Sequence, residues 1–289
     1  MNVNLECFPC FLRQTVLALN YTELGEKDKE YILKSVLDDI KNADTNKTPA
    51  YAMTFIYRKI KKLAKTDPYK DLKQKYNKEA LKLYPELKEK ALSSNWQLQT
   101  AARLAIAGNI IDFGIFTNID IAATVERALR KTIEADDIEA LAKDLDNTDK
   151  ILYLLDNAGE IVFDKILIEV LSKEMNKKVT AVVRGAPVIN DATLSDAKDI
   201  GLLDICTVID NGTDAVGTEL ALCSKEFIAE FQNHDLIISK GQANFETLTG
   251  LNKKNIYFLF QAKCSVIAKH LGFPERAMLL MKNKTQEPL

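Results

Sequence analysis

Leu152-Tyr153-Leu154-Leu155-Asp156-Asn157-Ala158-Gly159-Glu160-Ile161-Val162-Phe163-Asp164 is the stretch that decides the fold. An apolar, β-prone run empties into a carboxylate, an amide and a glycine, and a helical pattern begins directly afterwards. Open α/β sheets bind ligands outside the carboxyl ends of their strands. Asp156 and Asn157 would stand there as adjacent oxygen donors suited to a hard divalent cation. The competing reading makes Asp156 a helix N-cap and Glu160 a first-turn acid.

Downstream, the same grammar repeats. ILYLLD (151–156), VTAVVRG (179–185), DICTVIDNG (204–212), DLIISKG (235–241) and NIYFLFQAK (255–263) are short apolar runs separated by helical segments. The helices are expected at Glu160–Glu174, Thr193–Ile200, Thr218–Phe231, Asn244–Thr249 and Ser265–Leu271. Strand alternating with helix implies a parallel sheet, and continuous apolar strands imply helices on both faces. Upstream, from about residue 10 to about 146, apolar residues recur at helical spacing, as in Phe11, Thr15 and Leu19. The expected fold is therefore α/β: a Rossmann-like, doubly wound, mostly parallel sheet over 149–289 behind an all-helical N-terminal domain over 1–148. The charged stretch Lys59–Lys90 reads as a solvated helical face, because acids interleave with its lysines.

Composition narrows the function classes. The 39 Lys+Arg against 41 Asp+Glu leave a net charge of −2, which argues against a nucleic-acid or anionic-lipid partner. Charge interrupts every apolar stretch before the roughly 18 residues that a membrane span needs. The opening MNVNLECFPCFLRQ lacks a basic start followed by an apolar core. A cytoplasmic protein is expected. Five cysteines, an odd number, argue for reduced thiols over a disulfide framework. Cys7 and Cys10 have no second Cys-x-x-Cys to complete a zinc site, and no thioredoxin-like βαβ unit follows them. They read as thiols buried along an interdomain cleft.

The strand ends carry Asp156-Asn157, Arg184-Gly185, Asp210-Asn211-Gly212, Lys240-Gly241 and Gln261-Ala262-Lys263. Carboxylates with an amide suit a divalent cation, and Arg and Lys suit a phosphate. Together they point to phosphoryl chemistry. Asp191 either caps the following helix or joins the metal, and Asp210-Asn211-Gly212 reads first as a turn. Lys240 beside Gly241 reads as a cation next to a backbone that a ligand can approach. In the helical half, Asn109 and Asp112 lie at i and i+3 and share a face, and Gly108 beside them implies a close approach, with helix packing as the alternative.

CFPCFLRQ (7–14), AGNIIDFG (107–114), LLDNAGEIVFDKILIE (154–169), VVRGAPVINDAT (182–193), DLIISKGQANFETL (235–248) and LFQAKCSVIAKHLG (259–272) occur here in that order. The sequence resembles the DUF89 family, the damage-control phosphatases with an ARMT1-like metal-binding domain, and within it the stand-alone archaeal and bacterial branch. The resemblance implies helices packed on a Rossmann-like domain and one divalent metal (Mn²⁺, Ni²⁺, Co²⁺ or Mg²⁺) held by Asp156, Asn157 and Asp191. It implies that Glu160 and Lys240 serve the substrate phosphate or the metal's surroundings, with Asn109 and Asp112 contributing from the helical side. Arg184 and Lys263 join the substrate-binding set from their strand-end positions. The implied activity is metal-dependent hydrolysis of small phosphomonoesters, sugar phosphates or damaged phosphometabolites. A methyl- or nucleotide-donor-dependent transferase and a metal-dependent small-molecule binding protein are the alternatives, the former disfavoured because no glycine-rich donor loop stands at the strand ends.

Overall fold

The computed structural model describes residues 1–110, 121–253 and 255–284, so the expected contribution of Asp112 lies outside the described residues. The chain opens with helices α1 (Cys7–Asn20), α2 (Glu26–Lys41), α3 (Pro49–Ala64), α4 (Lys70–Leu92), α5 (Gln97–Ile110) and α6 (Ile121–Arg130). Strand β1 (Ile133–Asp136) and helix α7 (Ile138–Asp146) follow. The alternating half then runs β2 (Lys150–Leu154), α8 (Glu160–Glu169), β3 (Lys178–Val183), α9 (Leu194–Asp199), β4 (Thr207–Asp210) and α10 (Lys225–Asn233). It ends with β5 (Leu236–Lys240), α11 (Gln242–Leu248), β6 (Ile256–Gln261), α12 (Ser265–Leu271) and β7 (Met278–Lys282).

Among the described residues, seven strands form one sheet in the order β1-β7-β6-β5-β2-β3-β4, parallel throughout except between β6 and β7. Strand order reverses between β2 and β5, which pair directly, so the carboxyl ends of these two strands flank the topological switch point. Alternate residues feed opposite faces. Ile151, Tyr153, Leu236, Ile238, Tyr257 and Leu259 pack with α4, α5 and α8, whereas Leu152, Leu154, Ile237, Phe258 and Phe260 pack with α10, α11 and α12. A third cluster, built from α1, α2 and α3, reaches over to Val188 and Val216 in the loops beyond β3 and β4. The helical layer thus sits on the sheet's carboxyl edge.

Several boundaries differ from the sequence expectation. Residues 133–136, expected within the helical half, form β1 instead: Ile-Glu-Ala-Asp has no strand signature of its own and becomes one by pairing along β7. The helix expected over Glu160–Glu174 changes after Glu169 into a π turn over Val170–Glu174. The helix expected from Thr218 starts at Lys225, because Ser224 accepts from the Phe227 N–H as N-cap while the Thr218 hydroxyl bonds Asn244 instead. The stretch read as a solvated face turns Lys73 and Asn77, four residues apart on α4, into the interior.

Gly108 shows why α5 can lie against α8. A Cβ at that position would come within 3.0 Å of the Phe163 side chain. Close helix packing is thus the role the glycine performs. Gly108→Val is expected to cost about 1–3 kcal/mol through overpacking; urea denaturation measures it, and a change below about 0.5 kcal/mol would show that the interface yields freely.

Candidate active site

The β2 end delivers Asp156 and Asn157, and the loop after β3 folds back on them. Ala192 N donates to Asp156 O at 2.7 Å, Ala158 N donates to Asn190 O at 2.9 Å, and Asn157 and Asp191 form an isolated antiparallel bridge. This local pairing brings Asp191 beside Asp156 across 35 residues of chain. Neither aspartate is a helix cap. Gly159 occupies the N-cap of α8, and Asp196 Oδ2, which accepts from the Thr193 N–H and hydroxyl, closes the start of α9. The turn reading holds for Asp210-Asn211-Gly212: Asp210 Oδ1 accepts from Gly212 N, and Asn211 Oδ1 accepts from Gly185 N and Thr213 N.

The β5 end delivers Lys240, and its setting differs from the expectation that it faces phosphate. The ammonium is fully buried and donates to Glu160 Oε1 at 2.6 Å and Ala105 O at 2.9 Å, with Asp164 Oδ1 at 2.8 Å. All three of its N–H bonds are taken. Arg184 is equally committed: Nε donates to Asp191 Oδ2 at 2.7 Å, and the other nitrogens reach Thr218 and Asn244, with Asp156 Oδ1 at 3.9 Å. Both cations hold acidic residues in place; neither lines the cavity.

Gly241 follows Lys240 with φ +83°, and a Cβ there would stand 1.9 Å from Asp156 Oδ2. Only a glycine leaves room for that carboxylate. Asn109 from α5 donates to Glu160 Oε2 at 2.8 Å and to Asp156 Oδ2 at 3.4 Å. Asn157 Nδ2 donates to the same two oxygens at 3.1 and 2.7 Å.

Sequence reasoning left four residues of this neighbourhood unassigned. Asp164 is buried on α8, bonded by Lys240 and by the Tyr153 hydroxyl at 2.8 Å. Its signal was an acid one turn beyond Glu160, set among the apolar Ile161, Val162, Phe163, Ile166 and Leu167. Asn77 accepts from Gly159 N at 2.7 Å, and Lys73 donates to Asp191 O and pairs with Asp196. Asn244 Nδ2 donates to Lys240 O and Leu155 O, tying the β2 and β5 ends together. The last three carried no signal, since amides and lysines in a charged helix look solvated.

The electrostatics follow from burial. Asp156, Glu160, Asp164, Asp191 and Asp196 are all buried, and the buried cations among them are Lys73, Arg184 and Lys240. Burial drives the Asp156 carboxyl well above the usual carboxylate range, Glu160 and Asp191 add to the rise, and Lys263 and Arg184 oppose it. Burial also raises Asp191 against the pull of Arg184. Burial pushes Asp164 up to about 7 despite Lys240. For Glu160, burial acts upward too, but Lys240, Lys263 and the hydrogen bonds from Lys240 and Asn109 outweigh it and hold the group ionised. Burial disfavours the Lys240 ammonium, but Asp164 and Glu160 hold its pKa above the ordinary value.

The cluster opens on a cavity of about 180 Å³ between the helical layer and the sheet edge. Asn157, Glu160 and Lys263 from the sheet half line it, together with Gln14, Tyr21, Tyr69, Tyr76 and Asn109 from the helical half. Among the described residues, Lys263 is the one cation on its wall. Ile189 also lines it, at φ +43°, a left-handed conformation that a β-branched residue rarely adopts. Among the described residues no three His, Cys, Asp or Glu side chains converge tightly enough to hold a metal alone, so the Asn157 amide would have to complete a donor set with Asp156 and Asp191.

The cysteines of the N-terminal motif divide: Cys7 is buried and Cys10 exposed, which corrects the expectation that both are buried. Loss of hydration beside the protein surface raises both thiols, Cys10 with a further push from Cys264, so neither is an activated thiolate. No helix of the described residues is long and apolar enough to cross a membrane.

A Rossmann-like α/β protein with a carboxylate-and-amide crevice at its switch point is what this geometry defines. The chain belongs to the damage-control phosphatase ARMT1-like domain family, whose model matches residues 3–279. It is 38% identical over 292 residues to an uncharacterized protein of Methanocaldococcus jannaschii, covering 98% of this chain and 96% of that one. It is 37% identical over 288 residues to a damage-control phosphatase of Pyrococcus horikoshii, covering 98% of this chain and 99% of the relative. The crystal structure of a DUF89 family protein from Pyrococcus horikoshii superimposes with a TM-score of 0.92 at 34% identity, over 98% of this chain and 100% of that one.

Two predictions arise from this geometry. Gly241→Ala is expected to displace the Asp156 carboxylate while the sheet persists; a crystal structure of the variant and circular dichroism measure the two. The second concerns Glu246 on α11, whose carboxyl burial pushes up to about 7 from 4.5 against a hydrogen bond from Gln242. The folded state therefore retains a proton that the unfolded state has released, so stability falls as pH rises from about 4.5 to about 7. Glu246→Gln is expected to gain up to about 3 kcal/mol on the wild type between pH 4 and pH 8 in urea denaturation.

Proposed function

We propose that the protein is a metal-dependent phosphatase of small phosphomonoesters, acting in the cavity at the switch point. One observation carries the reading: five buried carboxylates, Asp156, Glu160, Asp164, Asp191 and Asp196, meet three buried cations, Lys73, Arg184 and Lys240, and a divalent cation would match the two carboxylates left over. Asp156, Asn157 and Asp191 would hold that cation through oxygen donors, the set that Mg²⁺ and Mn²⁺ prefer. Bound there, it supplies Lewis-acid polarisation of a phosphoryl oxygen.

The remaining steps belong to the chain's own side chains. Lys263, exposed on the cavity wall, offers a cation to the phosphate's outer oxygens. Glu160 reaches the cavity as an ionised carboxylate pinned by Lys240 and Asn109, the state that a group accepting a proton from attacking water requires. Arg184 and Lys240 position these acids. The cavity of about 180 Å³ is smaller than the roughly 300–1,000 Å³ of sites for drug-sized ligands, which favours a small substrate. Its hydrogen-bonding wall of Gln14, Tyr21, Tyr69 and Tyr76 suits a polyhydroxylated leaving group such as the sugar of a sugar phosphate. The relatives named damage-control phosphatases support the same class.

Chelator-treated protein is expected to release no phosphate from p-nitrophenyl phosphate and to regain turnover with Mn²⁺, Co²⁺, Ni²⁺ or Mg²⁺. Metal-independent turnover, or none with any of the four, would refute the reading. Asp156→Ala and Asp191→Ala are each expected to abolish turnover with the fold intact. Lys263→Ala is expected to raise KM about tenfold, the loss of one charge-assisted hydrogen bond to phosphate.

A further inference from the structure

Asp164 does not touch the cavity, yet it is a fully buried acid one turn beyond Glu160 on the interior face of α8. Its Oδ1 receives the Tyr153 hydroxyl at 2.8 Å and stands 2.8 Å from the Lys240 ammonium. Lys240 in turn grips Glu160 Oε1 at 2.6 Å, and Glu160 Oε2 accepts from Asn157 Nδ2 at 3.1 Å. The second N–H of that amide goes to Asp156 Oδ2 at 2.7 Å. Glu160 is ionised, and Asp156 would be once it holds a cation; ionised carboxylates only accept hydrogen bonds, so an amide between the two must present its nitrogen to both and turn its oxygen away.

We propose that Asp164 and Tyr153 anchor a positioning relay, Asp164 to Lys240 to Glu160 to Asn157, that fixes the Asn157 amide with its oxygen directed at the cation site. The inference rests on the metal reading above and adds residues whose only route to the cation is through others. A purely stabilising role is a poor explanation of this network. Buried ion pairs contribute little net stability over apolar residues of the same volume, so the charges earn their place through geometry. Hydrogen-bonded partners behind metal ligands set ligand orientation and so affinity. Asp164 is the far end of such a chain, and Lys240 its middle. The relay also explains why Lys240 does not extend to the cavity: its three donors are spent on Ala105, Glu160 and Asp164.

The test is Mn²⁺ affinity of the metal-free protein by calorimetric titration, with circular dichroism reporting the fold. Asp164→Asn keeps the volume and removes the charge; it is expected to weaken Mn²⁺ binding roughly 10- to 100-fold. Tyr153→Phe keeps the ring and removes one anchor, with a weakening of about threefold or more expected. In a Glu160→Gln background, where the relay is already cut, Asp164→Asn is expected to add less than about twofold. Affinity within about twofold of wild type in either folded variant, or full additivity with Glu160→Gln, overturns the relay. Should Asp164→Asn fail to fold, Tyr153→Phe decides alone. Wild-type protein that binds no Mn²⁺ overturns the metal reading and the relay with it, whereas wild-type binding with unaltered variants overturns the relay only.

Discussion

Excess negative charge buried at the β2–β5 junction is the constraint on which the rest of the structure depends. Like charges this close in a low-dielectric interior are tolerated only with counter-charges and full hydrogen bonding. Lys240 and Arg184 supply part of the compensation, Asn109 and Asn157 supply donors, and the remaining deficit sets the character of the site. Gly241 belongs to the same solution, since any side chain there would displace Asp156.

The helical layer completes the site as well as covering it. Asn109 at the end of α5 bonds Glu160 and Asp156 and accepts from Gln261 N, so one amide joins α5, α8 and β6. From α4, Lys73 and Asn77 bind the Asp191 loop and the turn before α8. Arg58 and Lys61 on α3 both hold Asp214 in the loop after β4. These contacts run between parts of the chain from 47 to 156 residues apart, which makes the helical half a wall of the cavity. The β1 strand, contributed from that same half to the edge of the sheet, interlocks the two further.

Cation chemistry divides by depth. Lys263, on the cavity wall, has a charge left to offer a ligand, while Lys240 and Arg184 spend theirs on the acids beside them. Strand-end position put all three in one category, but only the surroundings of each ammonium or guanidinium decide whether it meets substrate or holds another residue.

By itself, the sequence determined the alternating half of the fold, because continuous apolar runs of β2, β5 and β6 and the polar residues closing them are local signals. It also put Asp156 and Asn157 at a strand end, while Asp191, open between helix cap and ligand, joined them through the family resemblance that spans 7–272. Strand β1 was illegible, since a four-residue edge strand takes its conformation from its neighbour. So were the burial of Lys73 and Asn77 and the direction of the Lys240 ammonium. Tertiary structure alone decided these, for a physical reason: whether a charged side chain meets solvent, ligand or another charge depends on groups brought from distant parts of the chain. Asp164 lies between the two cases, visible as an acid in an apolar helix and intelligible only once Lys240 and Tyr153 are seen around it.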